Sequence, residues 1–246
     1  MDDYVGFLIN ACQEIGLEMS DSEAQRQLSY LDGIYEKNDV LNLTRVSRGT
    51  DAVVLHIVDA LVPCAIGVSL PADGTLLDIG TGGGFPGVPL SIHTGCRATL
   101  IDSVGKKISA VEEVLRQNDL DGQVQCRAIR AEDLAREVPE RFEMVTARAV
   151  APLETILEYA TPLLTYEGTL ICYKSKIEDS EWENAELVAK HIGMKYVSRE
   201  TIILPFDFGI REISVWQRVE ESEIDLPRRT GMARKKPLSK VFHVKH

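Results

Sequence analysis

Only six residues, PFDFGI (205–210), separate two strand-like runs near the end of the chain, MKYVSRETIIL (194–204) and REISVWQRV (211–219). A right-handed crossover between parallel strands takes about a dozen residues or more, so this pair must run antiparallel. From residue 75 onward, short apolar runs alternate with helical stretches, the pattern of a mostly parallel sheet covered by helices. TLLDI (75–79), RATLID (97–102), the run within QVQCRAI, MVTARAV (144–150) and GTLICYK (168–174) supply five strands. PGVPLSIHT, GKKISAVEEVLRQNDL, a short stretch at AEDL, LETILEYATPLL and SEWENAELVAKHIG supply the helices between them. The expectation is an α/β fold with a Rossmann-like seven-stranded sheet, set apart from an ordinary dinucleotide-binding sheet by its C-terminal antiparallel hairpin.

Ahead of the sheet, SDSE (20–23) forms a capping-box pattern before AQRQLSYLDGIYEK and predicts a helix from about 20 to 36. A shorter helix is expected at 3–15, and a third in DAVVLHIVDALVP, whose apolar face ends at Pro63. The chain thus divides into an N-terminal helical extension (1–65), a core (66–219) and a basic tail (220–246). There is no 18-residue apolar run, and the first 25 residues are acidic and amphipathic, unlike a secretory signal. A cytoplasmic protein without membrane association is expected.

Charge is unevenly distributed. The chain holds 27 basic and 38 acidic residues, a net charge of −11, yet seven basic and no acidic residues fall in LPRRTGMARKKPLSKVFHVKH, 226–246. The overall charge disfavours indiscriminate polyanion binding, and no DNA partner is expected; a local basic stripe can still position one phosphate backbone. A solubilising terminus is the alternative. The five cysteines, at 12, 64, 96, 126 and 172, form no CxxC pair, which argues against a disulfide scaffold or thiolate zinc site and for small buried fillers. His243 and His246 lack a third ligand nearby, so no metal is expected.

The strongest local signal is LLDIGTGGGFPGVPL (76–90), placed between a strand and a helix. Gly80, Gly82 and Gly84 let the chain turn sharply and bring backbone N–H groups close to a ligand. Asp102 closes the next strand, where an acidic side chain can accept both ribose hydroxyls. Asp78 weighs against a pyrophosphate, because a further carboxylate repels phosphates but not a sulfonium or amino group. No Walker lysine follows the glycines; Lys106 and Lys107 lie beyond the next strand. Together with the terminal hairpin this favours S-adenosylmethionine over a nicotinamide cofactor, and hence a class I S-adenosylmethionine-dependent methyltransferase. After the third strand, Ala131 can lie flat against an adenine while Glu132 or Asp133 accepts from its exocyclic amine; helix-start acids answering the dipole are the alternative.

NLT (42–44), HIVD (56–59), DIGTGGGFPG (78–87), DSVGKK (102–107), RAEDL (130–134), ARAVAPL (147–153) and RRTGMARKKPL (228–238) resemble the bacterial small-subunit ribosomal RNA guanine-N7 methyltransferases. These are also called the glucose-inhibited division protein B family. The resemblance runs from about 38 to 238. It implies methyl transfer from S-adenosylmethionine to N7 of a guanosine in the 530-loop region of 16S rRNA, with the small ribosomal subunit or its assembly intermediate as partner. It places Gly80, Phe85, Ala131, Glu132 and Arg148 in the cofactor or catalytic pocket, with His56 and Asp59 near its rim. Ala60, Gly83 and Ala147 stand where members often have Ser, Ala or Pro, and Ser, exchanges of small for small.

Guanine N7 has an available lone pair, so no catalytic base is expected and catalysis rests on alignment. Arg148, at the end of the fourth strand, is the expected catalytic residue, contacting O6, a phosphate or the cofactor carboxylate while N7 stays free. Lys174 and Lys176, flanking the end of the fifth strand, are expected to bind RNA by holding a splayed base or its backbone, and the tail residues Arg228, Arg229, Arg234, Lys235 and Lys236 to track rRNA phosphates. Core packing is the first reading of Phe206 and Phe208, with base stacking second. The rivals are a nicotinamide-dependent oxidoreductase, which needs a parallel sixth strand, and a non-catalytic RNA-binding or ribosome-assembly protein.

Overall fold

A computed structural model describes residues 2–69 and 72–243. Two helices open it, α1 (Asp2–Glu14) and α2 (Asp21–Leu41). Ser20 caps α2 by accepting the Glu23 N–H, and the helix runs five residues beyond the expected end before Asn42 closes it in the left-handed region. Glu23 does not return the capping-box bond; its carboxylate meets His93 Nδ1 at 2.7 Å.

The third expected helix is interrupted. A short α3 (Thr50–Ala52) passes into a π-helical turn over Val53–Val58 and then into α4 (Asp59–Ala65), which contains Pro63 instead of stopping there. The Asp59 N–H reaches back five residues to the Val54 carbonyl rather than four to Leu55. Such widened turns leave a carbonyl for another partner and cluster at functional sites. Here the Leu55 carbonyl accepts from Arg148 Nη1 at 2.8 Å.

The sheet contains β1 (Thr75–Ile79), β2 (Arg97–Asp102), β3 (Val124–Ala128), β4 (Phe142–Arg148), β5 (Leu164–Lys174), β6 (Met194–Ile203) and β7 (Ile210–Arg218) in the order β3-β2-β1-β4-β5-β7-β6. The first five are parallel, and β7 runs antiparallel to both β5 and β6. The short PFDFGI link therefore does make a hairpin. The neighbour of β5 is the antiparallel β7, with β6 beyond it at the sheet edge, so no sixth strand pairs directly and in parallel with β5 as the oxidoreductase reading needs.

Crossover helices α5 (Gly87–Thr94), α6 (Gly105–Gln117), α7 (Ala131–Glu137), α8 (Leu153–Ala160) and α9 (Asp179–His191) follow the parallel strands. Side chains alternate across a strand, so each strand feeds two cores. Leu76, Leu100, Met144 and Ile171 pack with Leu8, Leu28, Val54 and Val111; the helical extension thus shares a core with one sheet face. Leu77, Ile101, Val145 and Leu170 pack with Leu134, Ile156 and Val188 on the other. The tail joins this second core. Two short helices, α10 (Met232–Lys235) and α11 (Leu238–His243), bury Ala233, Leu238 and Phe242 there. Among the described residues no helix is long and apolar enough to cross a membrane.

Candidate cofactor cleft and substrate side

The carboxyl ends of β1, β2, β3 and β4 open onto a cleft of about 340 Å³. Gly80 and Gly82 form its floor beside Ile79 and Ile101; Asp102 and Lys107 stand on one side, Ala131, Glu132 and Tyr159 on the other, and Arg234 of the tail completes the rim. The floor is built by strain that glycine tolerates. Gly80 has φ +71°, and a Cβ there would come within 2.8 Å of Val150 Cγ2. Asp102 then ties the turn to β2, its Oδ2 accepting the Gly82 N–H at 3.3 Å and its Oδ1 the Val104 N–H at 2.9 Å. Glu132 is buried, and its Oε1 accepts the Gly231 N–H at 2.8 Å.

Asp78 supports the glycine turn from beneath. Its Oδ2 accepts from Thr81 Oγ1 at 2.6 Å and from the Gly87 N–H at 3.1 Å, and its Oδ1 from Thr146 Oγ1 at 3.0 Å. Full burial raises its pKa to about 6, the three hydrogen bonds and Arg148 only partly opposing the rise. Gly84, at φ +89°, leaves room for the buried Tyr30, whose hydroxyl donates to the Gly83 carbonyl at 2.9 Å.

A second polar cluster lies at the end of β4. Asp59 is 1% exposed and receives Arg148 Nη1 at 2.9 Å and Arg211 Nε at 2.5 Å. The two guanidinium groups share one carboxylate. His56 stacks on Phe85 with ring centroids 4.5 Å apart, places Nε2 2.8 Å from Thr44 Oγ1 and lies 3.4 Å from Arg148 Nη2. Burial and the adjacent Arg148 charge depress its pKa to about 3, so the imidazole is neutral.

The sequence model of a family described as rRNA small subunit methyltransferase G matches residues 23–202. The chain belongs to this family. It is 32% identical over 234 residues to Ribosomal RNA small subunit methyltransferase G of Alkaliphilus metalliredigens, covering 94% of this chain and 97% of that protein. It is 35% identical over 231 residues to the protein of the same name from Carboxydothermus hydrogenoformans, covering 92% and 96%. Among solved structures, it resembles an O-methyltransferase from Bacillus cereus in complex with SAH (TM-score 0.55, 16% identity, 78% and 91% covered). A putative sarcosine dimethylglycine methyltransferase from Galdieria sulphuraria is similar (TM-score 0.55, 10% identity, 77% and 99% covered). At these identities the two structures speak to fold, a class I S-adenosylmethionine-dependent methyltransferase fold, here with an N-terminal helical extension.

For this member of the methyltransferase G family, the structure brings Gly80, Gly82, Asp102, Ala131 and Glu132 together on one cleft. It does not bring Asp78, Gly84, Phe85 or Arg148 to the cleft surface. Asp78 is turned under the loop by three donors, and Phe85 is held by His56 stacked on its ring and Tyr30 edge-on to it. Arg148 turns toward the helical extension, because Asp59 and the Leu55 carbonyl hold it there.

The expected phosphate contacts divide in the same way. Lys174 is bound to Glu181 at 2.6 Å and to the Ala151 carbonyl at 2.9 Å. Arg228 makes two bonds to the buried Glu158, at 2.7 and 2.6 Å. Both side chains make internal ties. Arg229, Lys235 and Lys236 are exposed, and Arg234 belongs to the cleft rim while its Nη2 donates to the Val150 carbonyl at 2.8 Å. His246 lies outside the described residues. Phe206 is 44% exposed and stacks on Phe7 at 4.9 Å, so core packing describes it only in part. Sequence reasoning missed Arg211, Thr146, Tyr30 and Tyr159. Arg211 lies 152 residues from Asp59, and only the β5–β7 pairing brings it near.

Proposed function

We propose that the chain transfers the methyl group of S-adenosylmethionine to N7 of a guanosine in the 530-loop region of 16S rRNA, acting on the small subunit or an assembly intermediate. The observation that carries this reading is the cleft itself, in a chain of the methyltransferase G family: a glycine turn flanked by two carboxylates. Its residues fit an adenosine. Asp102 spends one lone pair of each oxygen on backbone N–H groups and keeps the others for ribose hydroxyls. Glu132 spends Oε1 on Gly231 and keeps Oε2 for an exocyclic amine. Ala131, Ile101 and Ile129 offer apolar surface for a base. A side chain at Gly80 would collide with Val150, so the close approach of backbone is built in. When bound, S-adenosylmethionine supplies a sulfonium methyl as electrophile.

The chain's own part is then to orient. Guanine N7 needs no deprotonation, so the task is to hold the purine about 3 Å from the methyl carbon and in line with sulfur. Among the described residues, the ion pairs of Arg148 and Arg211 both end on Asp59, so each guanidinium shares that carboxylate and the substrate side keeps cationic character. That charge suits guanine O6 or a backbone phosphate, with N7 left open; a bidentate arginine on O6 and N7 would occupy the reacting lone pair. The deep, narrow A-form groove hides N7 of a paired guanine, so the target belongs in a loop or distorted region. Exposed Arg229, Lys235 and Lys236 serve the surrounding phosphates.

The test is transfer of radiolabelled methyl groups to naked 16S rRNA, partly assembled particles and 30S subunits in parallel. Chemical cleavage specific for N7-methylguanosine then maps the label. One position cleaved by aniline after borohydride reduction, in the 530 region, is expected; label elsewhere in the purine, or no label on any of the three substrates, overturns the reading.

A further inference from the structure

The basic tail is not laid on the surface as a phosphate-tracking arm alone. Polar contacts fasten it beside the cleft, and most involve residues that form the cleft wall or adjoin it. Arg228 pairs with Glu158, which is 3% exposed on α8. Arg136 Nη2 donates to the Arg228 carbonyl at 2.8 Å, and Thr230 Oγ1 donates to Asp133 Oδ1 at 2.6 Å. The Gly231 N–H holds Glu132 Oε1, and Arg234 Nη2 holds the Val150 carbonyl. Ala233, Leu238 and Phe242 are buried beneath. An arm whose only task was to follow a polyanion would gain nothing from burying three apolar side chains and an ion pair.

The consequence falls on the cofactor side. Glu132 reaches the cleft with one oxygen already fixed by the tail, so the direction of its second oxygen is set by residue 231. Arg234 lines the same cleft as Tyr159. A guanidinium carries five N–H donors in a plane, and the Val150 carbonyl takes one. The other donors belong to a side chain that lines the same cleft as Ala131, Glu132 and Tyr159, a place suited to an aromatic ring with nitrogen acceptors.

We propose that the segment 226–243 is a strap completing the cofactor site, and that Arg234 is a binding residue for the purine of the adenosine. It acts through its planar guanidinium on the ring face or a ring nitrogen, while Gly231 presets Glu132 for the exocyclic amine. This rests on the reading of the cleft as an adenosine site. It adds a segment distant in sequence and a residue whose charge alone would assign it to RNA. Cations on the outer side of the strap, such as Arg229 and Lys235, then sit on a segment whose inner side touches cofactor, so the two ligands are neighbours across one short piece of chain.

Titration calorimetry of the full chain with S-adenosylhomocysteine tests this, using the wild type, Arg234→Ala, Arg234→Lys and Lys240→Ala. Loss of a desolvated cation–aromatic contact corresponds to about tenfold in affinity. Arg234→Ala should weaken binding by about that factor and Arg234→Lys by less, with Lys240→Ala, on the exposed side of α11, matching the wild type. Hydrogen exchange gives a second readout that a merely structural arginine would not move: S-adenosylhomocysteine should slow exchange of the 230–236 amides in the wild type. Equal affinities for the wild type and Arg234→Ala, or unchanged exchange over 230–236 at saturation, overturn the proposal. A wild type that takes up no S-adenosylhomocysteine overturns instead the adenosine reading on which it stands.

Discussion

Replacing Asp78 by Asn should stabilise the protein at neutral pH, an unusual outcome for a fully buried, triply hydrogen-bonded carboxylate. Burial raises this carboxyl from its ordinary 3.8 to about 6. A raised folded-state pKa in an acid means that the folded protein holds a proton the unfolded chain has released. The stabilising contribution is therefore complete below about pH 4 and is lost as pH rises through 6. Two pH units at about 1.4 kcal/mol each give a loss of about 3 kcal/mol, complete above pH 7. Asn removes the buried charge and can keep the bonds. Its oxygen can take the place of Oδ2 and accept from Thr81 and Gly87, while its amide donates to Thr146 Oγ1. That hydroxyl already lies 3.4 Å from the Leu77 carbonyl and can donate there instead. Urea unfolding of wild type and Asp78→Asn from pH 4.5 to 8 should show the variant gaining on the wild type as pH rises. At pH 7.5 the variant should lead by about 1–3 kcal/mol, the lower figure allowing for imperfect repacking. Asp78→Ala, which strands the Thr81 hydroxyl and the Gly87 N–H, should be less stable than either at every pH. A stability difference between Asn variant and wild type that does not change with pH would refute the reasoning, as would a less stable Asn variant at pH 7.5.

Two further substitutions probe the scaffold of the site. Gly84→Ala puts a Cβ into the Tyr30 hydroxyl at φ +89° and should cost about 2–4 kcal/mol by thermal or urea unfolding; Tyr30→Phe in the same chain should recover part of it, because the ring carbon then sets the limit. Asp59→Ala leaves Arg148 and Arg211 without their shared carboxylate and should lose about 3–5 kcal/mol of stability. Asp59→Asn should retain more stability than Asp59→Ala while still lowering methyl transfer, which a radiolabel assay on folded protein would check.

The sheet was legible because its signals are local. A strand needs a short apolar run and a crossover helix two or more turns with the right period, and both are written contiguously from 75 to 219. The six-residue link between the last two strands left one pairing direction, and β6 and β7 adopt it. The glycine turn was legible for the same reason: Gly80, Gly82 and Asp102 belong to one strand–turn–helix–strand unit, and they meet on one cleft. Where a helix carries an internal exception, pattern failed. The run through Val53–Val58 widens into a π-turn, and Pro63 lies inside α4 instead of ending it, because packing against the sheet outweighs one lost hydrogen bond.

Residue chemistry at 78, 148, 174, 228 and 234 was readable, but direction was not. A carboxylate or guanidinium takes the partners that burial forces upon it, and those partners come from distant segments: Thr146 for Asp78, Asp59 and Leu55 for Arg148, Glu181 for Lys174, Glu158 for Arg228. The amino-acid order alone determined the sheet, its terminal hairpin and the turn that floors the cleft, since each depends on neighbours within a few tens of residues. Only the folded chain decided that Asp78 supports the turn from below, that Arg148 and Arg211 share one carboxylate, and that a basic tail forms a wall of the cleft. These depend on desolvation and pairing across about 70 to 150 residues, for which a linear pattern carries no period.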